Sequence, residues 1–269
     1  MYVAAQVPDS LLLRCRALRL VVPEGAVVTD WTACWLFTEL LPPNQHLAVP
    51  PVSFFRPPGH GRLRNALCDS GERAFRPDDL MELNGLVVTT PLRTALDLGR
   101  LASRDGAISA LDALLRYGGF GHRRLLDSVE RFAHQRGVVQ LRELAPLADS
   151  RAESSGESVL RLRWFDCSEL PRPSPQVPVL RPNGCFYWLD LGVEELRFAA
   201  EYDGEEHHTS DEDREHDRER RTWLREQEGW IIKPVTKVNV FGHLRDVEAV
   251  LHAGILDARR RLGDYRGRA

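Results

Sequence analysis

The stretch from Asp190 to His208, DLGVEELRFAAEYDGEEHH, constrains the fold of this chain more than any other. It holds two short runs of alternating apolar residues, each carrying acids at matched positions. Side chains alternate faces along a strand, so Leu189, Leu191 and Val193 share one face and Asp190 looks the other way. In the second run Phe198, Ala200 and Tyr202 share a face, while Glu201 and Asp203 point opposite. A hairpin with a two-residue turn at Glu195-Leu196 sets Asp190 directly opposite Glu201, with Cβ atoms roughly 5 Å apart. A turn one residue earlier pairs Asp190 with Ala199 and still leaves the acids on one face. Carboxylates crowded in this way repel, and a bare cluster retains a proton at neutral pH. A hard cation such as Mg²⁺ or Mn²⁺ relieves the conflict, because such ions prefer carboxylate oxygen. The competing reading is an exposed hairpin whose acids face water.

The flanking segments admit two readings each. Ser154-Ser155-Gly156-Glu157 fits a capping box at a helix start, which would by itself explain Glu157. Residues 213 to 228 read as a helix ended by Gly229, a favoured residue just past a helix C-terminus. On it Arg214, Arg218, Arg221 and Arg225 recur at spacings of four, three and four, forming one stripe. The stripe suits a phosphate backbone; it equally suits a solvated face laced with ion pairs such as Asp217 with Arg221. Trp230-Ile231-Ile232 reads as a further core strand closed by Lys233-Pro234. His207 and His208 follow the second run, where a histidine beside acids is a ready base at neutral pH or merely decorates a loop.

Taken in order, the helical Glu157, the strand Asp190, Glu201-Tyr-Asp-Gly, His207, the Arg-rich helix and the Gly229-Trp230 strand resemble the PD-(D/E)XK nuclease superfamily. The resemblance is to the branch similar to very-short-patch-repair endonucleases and spans about residues 150 to 250. It implies a restriction-endonuclease-like αβββαβ unit with a central mixed sheet. It further implies Mg²⁺ or Mn²⁺ on Asp190 and Glu201, proton transfer at His207, Glu157 as an outer or additional ligand, and DNA as partner. Two departures stand out: Asp203 occupies the position of the expected lysine, and no proline precedes Asp190. Asp203 is then a candidate third ligand, and more of the water-activating role falls to His207 or His208.

The first half is organised differently. Thr29-Asp30 precede a short apolar helix from Trp31 to Leu41, and residues 44 to 60 read as short extended or looped pieces. Leu86 to Val88 read as a strand, and Thr90 caps a helix with Pro91 at its first position. Arg93 and Asp97 lie one turn apart on that helix and can pair. Further helices are expected at 104–117, 122–136 and 139–148. Val88 to Asp97, together with the Trp31 helix, resembles the C-terminal domain of abortive-infection type IV antitoxins over residues 20 to 148. That resemblance implies a possible protein partner for this half. Only about twenty residues precede it, too few for a winged-helix module ahead of it.

A length of 269 residues suggests two domains, 1–149 and 150–269, in an α+β arrangement with a helical or mixed first half. The net charge of −3, and −4 over residues 151–269 (19 basic against 23 acidic), weighs against tight non-specific DNA binding. Five cysteines without a C-x-x-C pair read as reduced thiols, neither a disulfide frame nor a zinc site. With no leader and no long apolar run, the expectation is a cytoplasmic protein without membrane contact. Two functions follow: a metal-dependent DNA endonuclease or nickase, in defence or repair, or a non-catalytic antitoxin-like module that binds DNA or protein with a degenerate nuclease fold.

Overall fold

A computed structural model describes residues 7–41, 50–63, 65–204 and 211–266, the side chains of 211–214 and 264–266 excepted. The chain divides into two compact units, Met1–Ser150 and Arg151–Ala269. Both combine helices with a mixed sheet, so the fold is α+β.

In the first unit α1 (Leu11–Arg19), β1 (Val27–Val28), α2 (Asp30–Thr38), β2 (Val52–Arg56), β3 (Cys68–Glu72), β4 (Leu80–Leu83) and β5 (Leu86–Thr89) come first. Helices α3 (Pro91–Leu101), α4 (Arg104–Tyr117), α5 (His122–Val129) and α6 (Val138–Leu144) follow. The strands form a five-stranded sheet in the order β3-β2-β1-β5-β4. Its apolar residues Val28, Leu86 and Val88 are buried with Cys15, Leu18, Ala33 and Leu36 of α1 and α2. The Thr90 side chain accepts from the Arg93 amide, with Pro91 opening α3, as capping chemistry requires. Helix α2 stops at Thr38, short of the expected Leu41, because Glu39 turns into the left-handed region (φ 65°) and closes the helix with its amide on Trp35. The helix expected over 122–136 gives way after Val129 to a 3₁₀ turn, Glu130–Phe132.

Asp97 of α3 anchors a buried ionic network. It accepts from Arg93 (2.8 Å), Arg100 (2.8 Å) and Arg73 (3.0 Å), and Arg73 also bonds Asp30 (2.7 Å). Arg93 and Arg131 both reach Asp79, whose side chain is nearly inaccessible. The Arg93–Asp97 pair expected from spacing is thus one edge of a larger cluster.

The second unit runs α7 (Ser155–Asp166), β6 (Ser174–Leu180), β7 (Phe186–Val193), β8 (Phe198–Asp203), α8 (Asp211–Glu226), β9 (Ile231–Thr236), α9 (Lys237–Val240) and α10 (Val247–Arg266). Its sheet has the order β6-β7-β8-β9, antiparallel except for the parallel β8–β9 pair. Helices cover both faces. Phe198 meets Trp164 of α7 (ring centroids 5.5 Å apart) and packs so closely under α10 that a Cβ on Gly254 would lie 2.2 Å from its ring. On the α8 side Leu224 and Trp223 pack with Val177, Leu189, Ala199 and Trp230. Prolines stand in both edge strands, Pro175 and Pro178 in β6 and Pro234 in β9, where a missing N–H is tolerated. Strand β9 therefore runs on past the Lys233-Pro234 stop expected for it.

Candidate active site

Strands β7 and β8 pair through Val193↔Phe198, Gly192↔Ala199 and Leu191↔Ala200. One step further in this register come Asp190 and Glu201. The connection is not a two-residue turn: Glu194–Leu196 form a 3₁₀ turn and Arg197 adopts φ 50°. Tight two-residue hairpins need residues at positive φ, for which glycine and asparagine are suited. Glu195-Leu196 are neither, so four residues span the gap while the register is kept.

Beyond Leu191 the strands part, and the Asp190 side chain takes the place of a ladder carbonyl, accepting the Tyr202 amide at 2.8 Å. Glu157 arrives from the first turn of α7. Ser154 accepts from the Glu157 amide (3.1 Å) and donates to its carboxylate (2.9 Å), while the Glu153 amide bonds the other oxygen (3.0 Å). Capping and a place in the site therefore coincide in one side chain. Gly156 makes the approach possible, since a Cβ there would lie 2.1 Å from the Tyr202 ring. Gln176 of β6 also reaches Glu157, at 3.1 Å. It does so from φ +52°, a backbone state that costs a non-glycine residue about 1 kcal/mol and that clusters at functional sites.

Burial, first, and then the Glu157 carboxylate push the Asp190 acid from 3.8 up to about 7. Burial likewise raises Glu157. Among the described residues, no cation lies within ion-pair distance of either. Glu201 is different. Only 4% exposed, it is held by both terminal nitrogens of Arg220 (2.5 and 3.2 Å), and Arg221 approaches at 3.4 Å. Arg220 further donates to the Trp188 carbonyl (2.9 Å). Burial opposes its charge, and its bonds to Glu201 together with the charges of Glu201, Asp217 and Asp190 more than offset this, so its proton is held more firmly than usual. Asp203 accepts from Arg221 at 2.8 Å.

The site thus joins Glu157, Asp190 and Glu201, with Asp203 at its rim on Arg221. Among the described residues, the acids do not form a trio whose oxygens all lie within 4.8 Å of one another; Cys167, Glu169 and His252, elsewhere in the unit, do bring three potential ligand atoms that close. His207 and His208 lie outside the described residues. Of the arginine stripe, Arg221 turns inward to Asp203 and Asp217, Arg218 and Arg225 are exposed, and the side chain of Arg214 lies outside the described residues. Sequence reasoning missed Gln176 and Arg220. Arg220 had a signal, lying one turn before the buried Leu224 and so on the inward face of α8. Gln176 had a weaker one, as a polar residue amid the alternating apolar pattern of β6.

The chain is 36% identical over 157 residues to uncharacterized proteins from two strains of Mycobacterium tuberculosis. The match covers 58% of this chain and 57% of each relative, so the chain spans little more than half the length of the relatives it matches. No family model matches, and no solved structure matches. Among the described residues, no helix is long and apolar enough to cross a membrane.

Proposed function

We propose that the second unit is a restriction-endonuclease-like, divalent-metal-dependent DNA endonuclease or nickase, with its centre at Asp190, Glu201 and Glu157. The observation that supports this best is Asp190: a half-buried carboxyl group set beside two further acids, with no cation in ion-pair distance among the described residues. A protein gains nothing in stability from that arrangement, whereas a bound dication would turn the repulsion into ligation. The element order α7-β6-β7-β8-α8-β9, with the acids on the central strands and the first helix, agrees with the unit implied by the sequence resemblance.

The residues present suit Mg²⁺ or Mn²⁺, since the donors are hard carboxylate oxygens. Asp190 and Glu201 would hold the ion, with Glu157 and Asp203 as additional donors. When bound, the metal polarises the scissile phosphate and acidifies its own water. Ser154 and Gln176 hold Glu157 in orientation, and the Tyr202 amide fixes Asp190. Arg220 holds Glu201 in place through both of its oxygens. His207 is proposed for proton transfer, and Arg214, Arg218 and Arg225 for contact with the phosphate backbone.

A second reading rests on Arg220. Both Glu201 oxygens already bond a guanidinium, as suits a non-catalytic module that keeps the fold for binding DNA or a protein partner, in line with the antitoxin-like first half. One experiment separates the two. The intact chain should nick supercoiled plasmid with Mg²⁺ or Mn²⁺ but not with chelator, and Asp190→Asn or Glu201→Gln should reduce the rate by roughly two orders of magnitude or more. Absence of nicking, with no Mn²⁺-induced thermal shift, favours the binding module; nicking unchanged in Asp190→Asn removes the proposed centre.

A further inference from the structure

Away from the carboxylate cluster, the turn after α7 meets the second turn of α10. Cys167, the residue that caps α7, is buried with 7% exposure. Glu169 follows two residues later on the surface. His252 of α10 bonds it, Nε2 to Oε1, at 2.8 Å. The Cys167 Sγ, a Glu169 oxygen and a His252 ring nitrogen all lie within 4.8 Å of one another.

We infer that Cys167, Glu169 and His252 form a binding site for a thiophilic divalent cation, Zn²⁺ by its chemistry, distinct from the proposed catalytic centre. One thiolate, one imidazole and one carboxylate are a donor set that Zn²⁺ accepts, with water completing a tetrahedron. Hard ions such as Mg²⁺ do not favour sulfur. Ligand atoms around tetrahedral zinc stand roughly 3.3–3.8 Å apart, given bonds of about 2.0–2.3 Å. The three atoms lie within 4.8 Å of one another, so small side-chain rotations suffice to reach that spacing, and the Glu169–His252 bond opens by rotation of two exposed side chains. Only the buried Cys167 is fixed, so the pocket is anchored at its sulfur.

The surroundings favour a cation independently of the ligands. The site lies at the C-terminal end of a twelve-residue helix, where unpaired carbonyls give a negative potential. Asp166 and Glu248 add negative charge close to Cys167. Basic groups are near as well: Arg245 pairs with Glu248 at 3.1 Å, and Arg163 lies 4.0 Å from Asp166. On binding, the Cys167 thiol proton passes to solvent and the thiolate bonds the metal. The ion would tie the far end of α7, whose near end carries Glu157, to α10. Its role is that of a clasp, with an open position at water.

The intact chain, stripped with chelator under reducing conditions, should bind Zn²⁺ in competition with a chromophoric chelator. With Co²⁺ alone it should show a thiolate-to-cobalt charge-transfer band in the near ultraviolet. Cys167→Ser should abolish the band, and His252→Gln, a surface change that spares the fold, should weaken Zn²⁺ binding by about tenfold to a hundredfold. Cys185→Ser should leave both signals intact, and Asp190→Asn should leave the cobalt charge-transfer band intact, which separates this site from the carboxylate cluster. No cobalt band in the parent, or one that persists in Cys167→Ser, would overturn the site, as would Zn²⁺ binding unaffected by His252→Gln.

Discussion

Asp190 ties acidity to stability in a direction opposite to that of a salt-bridged aspartate. Its carboxyl is raised from 3.8 to about 7, so between those values the folded chain holds a proton that the unfolded chain has released. The contribution of Asp190 to stability therefore falls as pH rises from about 4 to about 7 and levels off above that. With divalent ions absent, Asp190→Asn should be more stable than the parent at pH 8, by up to about 4 kcal/mol, and no more stable at pH 4. Urea denaturation at the two pH values checks this; an equal shift at both would show that ionisation of Asp190 is not the cause. Mn²⁺ should reverse the order at pH 8, stabilising the parent and leaving the asparagine variant unmoved. Asp190 was legible because alternation fixed its face and its register. Arg220 was not, because its partner lies 19 residues away on another element and the pairing depends on how α8 docks. Cys167 and His252 are further apart still, and no local spacing rule joins a helix cap to a residue on the last helix.

Among the elements, α7 carries the most information, since its first turn is both a cap and part of the site. Helix propensity alone would make Gly156→Ala stabilising by roughly 0.5–1 kcal/mol. Contact with the Tyr202 ring should reverse that sign, because the ring is seated against Phe241 (centroids 6.4 Å apart). We expect a loss of about 1–3 kcal/mol, the range for overpacking, read from the thermal midpoint. Metal-dependent nicking should weaken with it as Glu157 is displaced. A stabilised variant would mean that α7 and β8 are less tightly opposed than described. The alternation in β7 and β8 predicted their pairing well, whereas the turn between them followed backbone chemistry that the hydrophobic pattern does not encode. Helix ends failed in the same way: Glu39 terminates α2 in a left-handed conformation that its residue type does not announce.

For the molecule as a whole, the arginine bias has a structural use. Of 36 basic residues only Lys233 and Lys237 are lysine. Guanidinium forks bridge two acids at once, as Arg93 does between Asp79 and Asp97 and Arg73 between Asp30 and Asp97. Removing one partner from such a buried network leaves uncompensated charge, so Asp97→Asn should cost about 3–5 kcal/mol in chemical denaturation. Arg123→Ala, which breaks the exposed pair with Asp127 (3.9 Å), should cost under about 1 kcal/mol. Comparable losses in the two variants would mean that burial does not set the strength of these pairs. The bias in composition was plain in the sequence; which arginines are buried followed only from the fold.

The imino acids at the two margins of the second sheet carry one more implication. A border that lacks regular amide donors offers a poor template for a fifth ribbon, whether from a neighbouring copy or from an extended peptide. Substitution of those prolines would restore amide donors to the two borders and make them stickier.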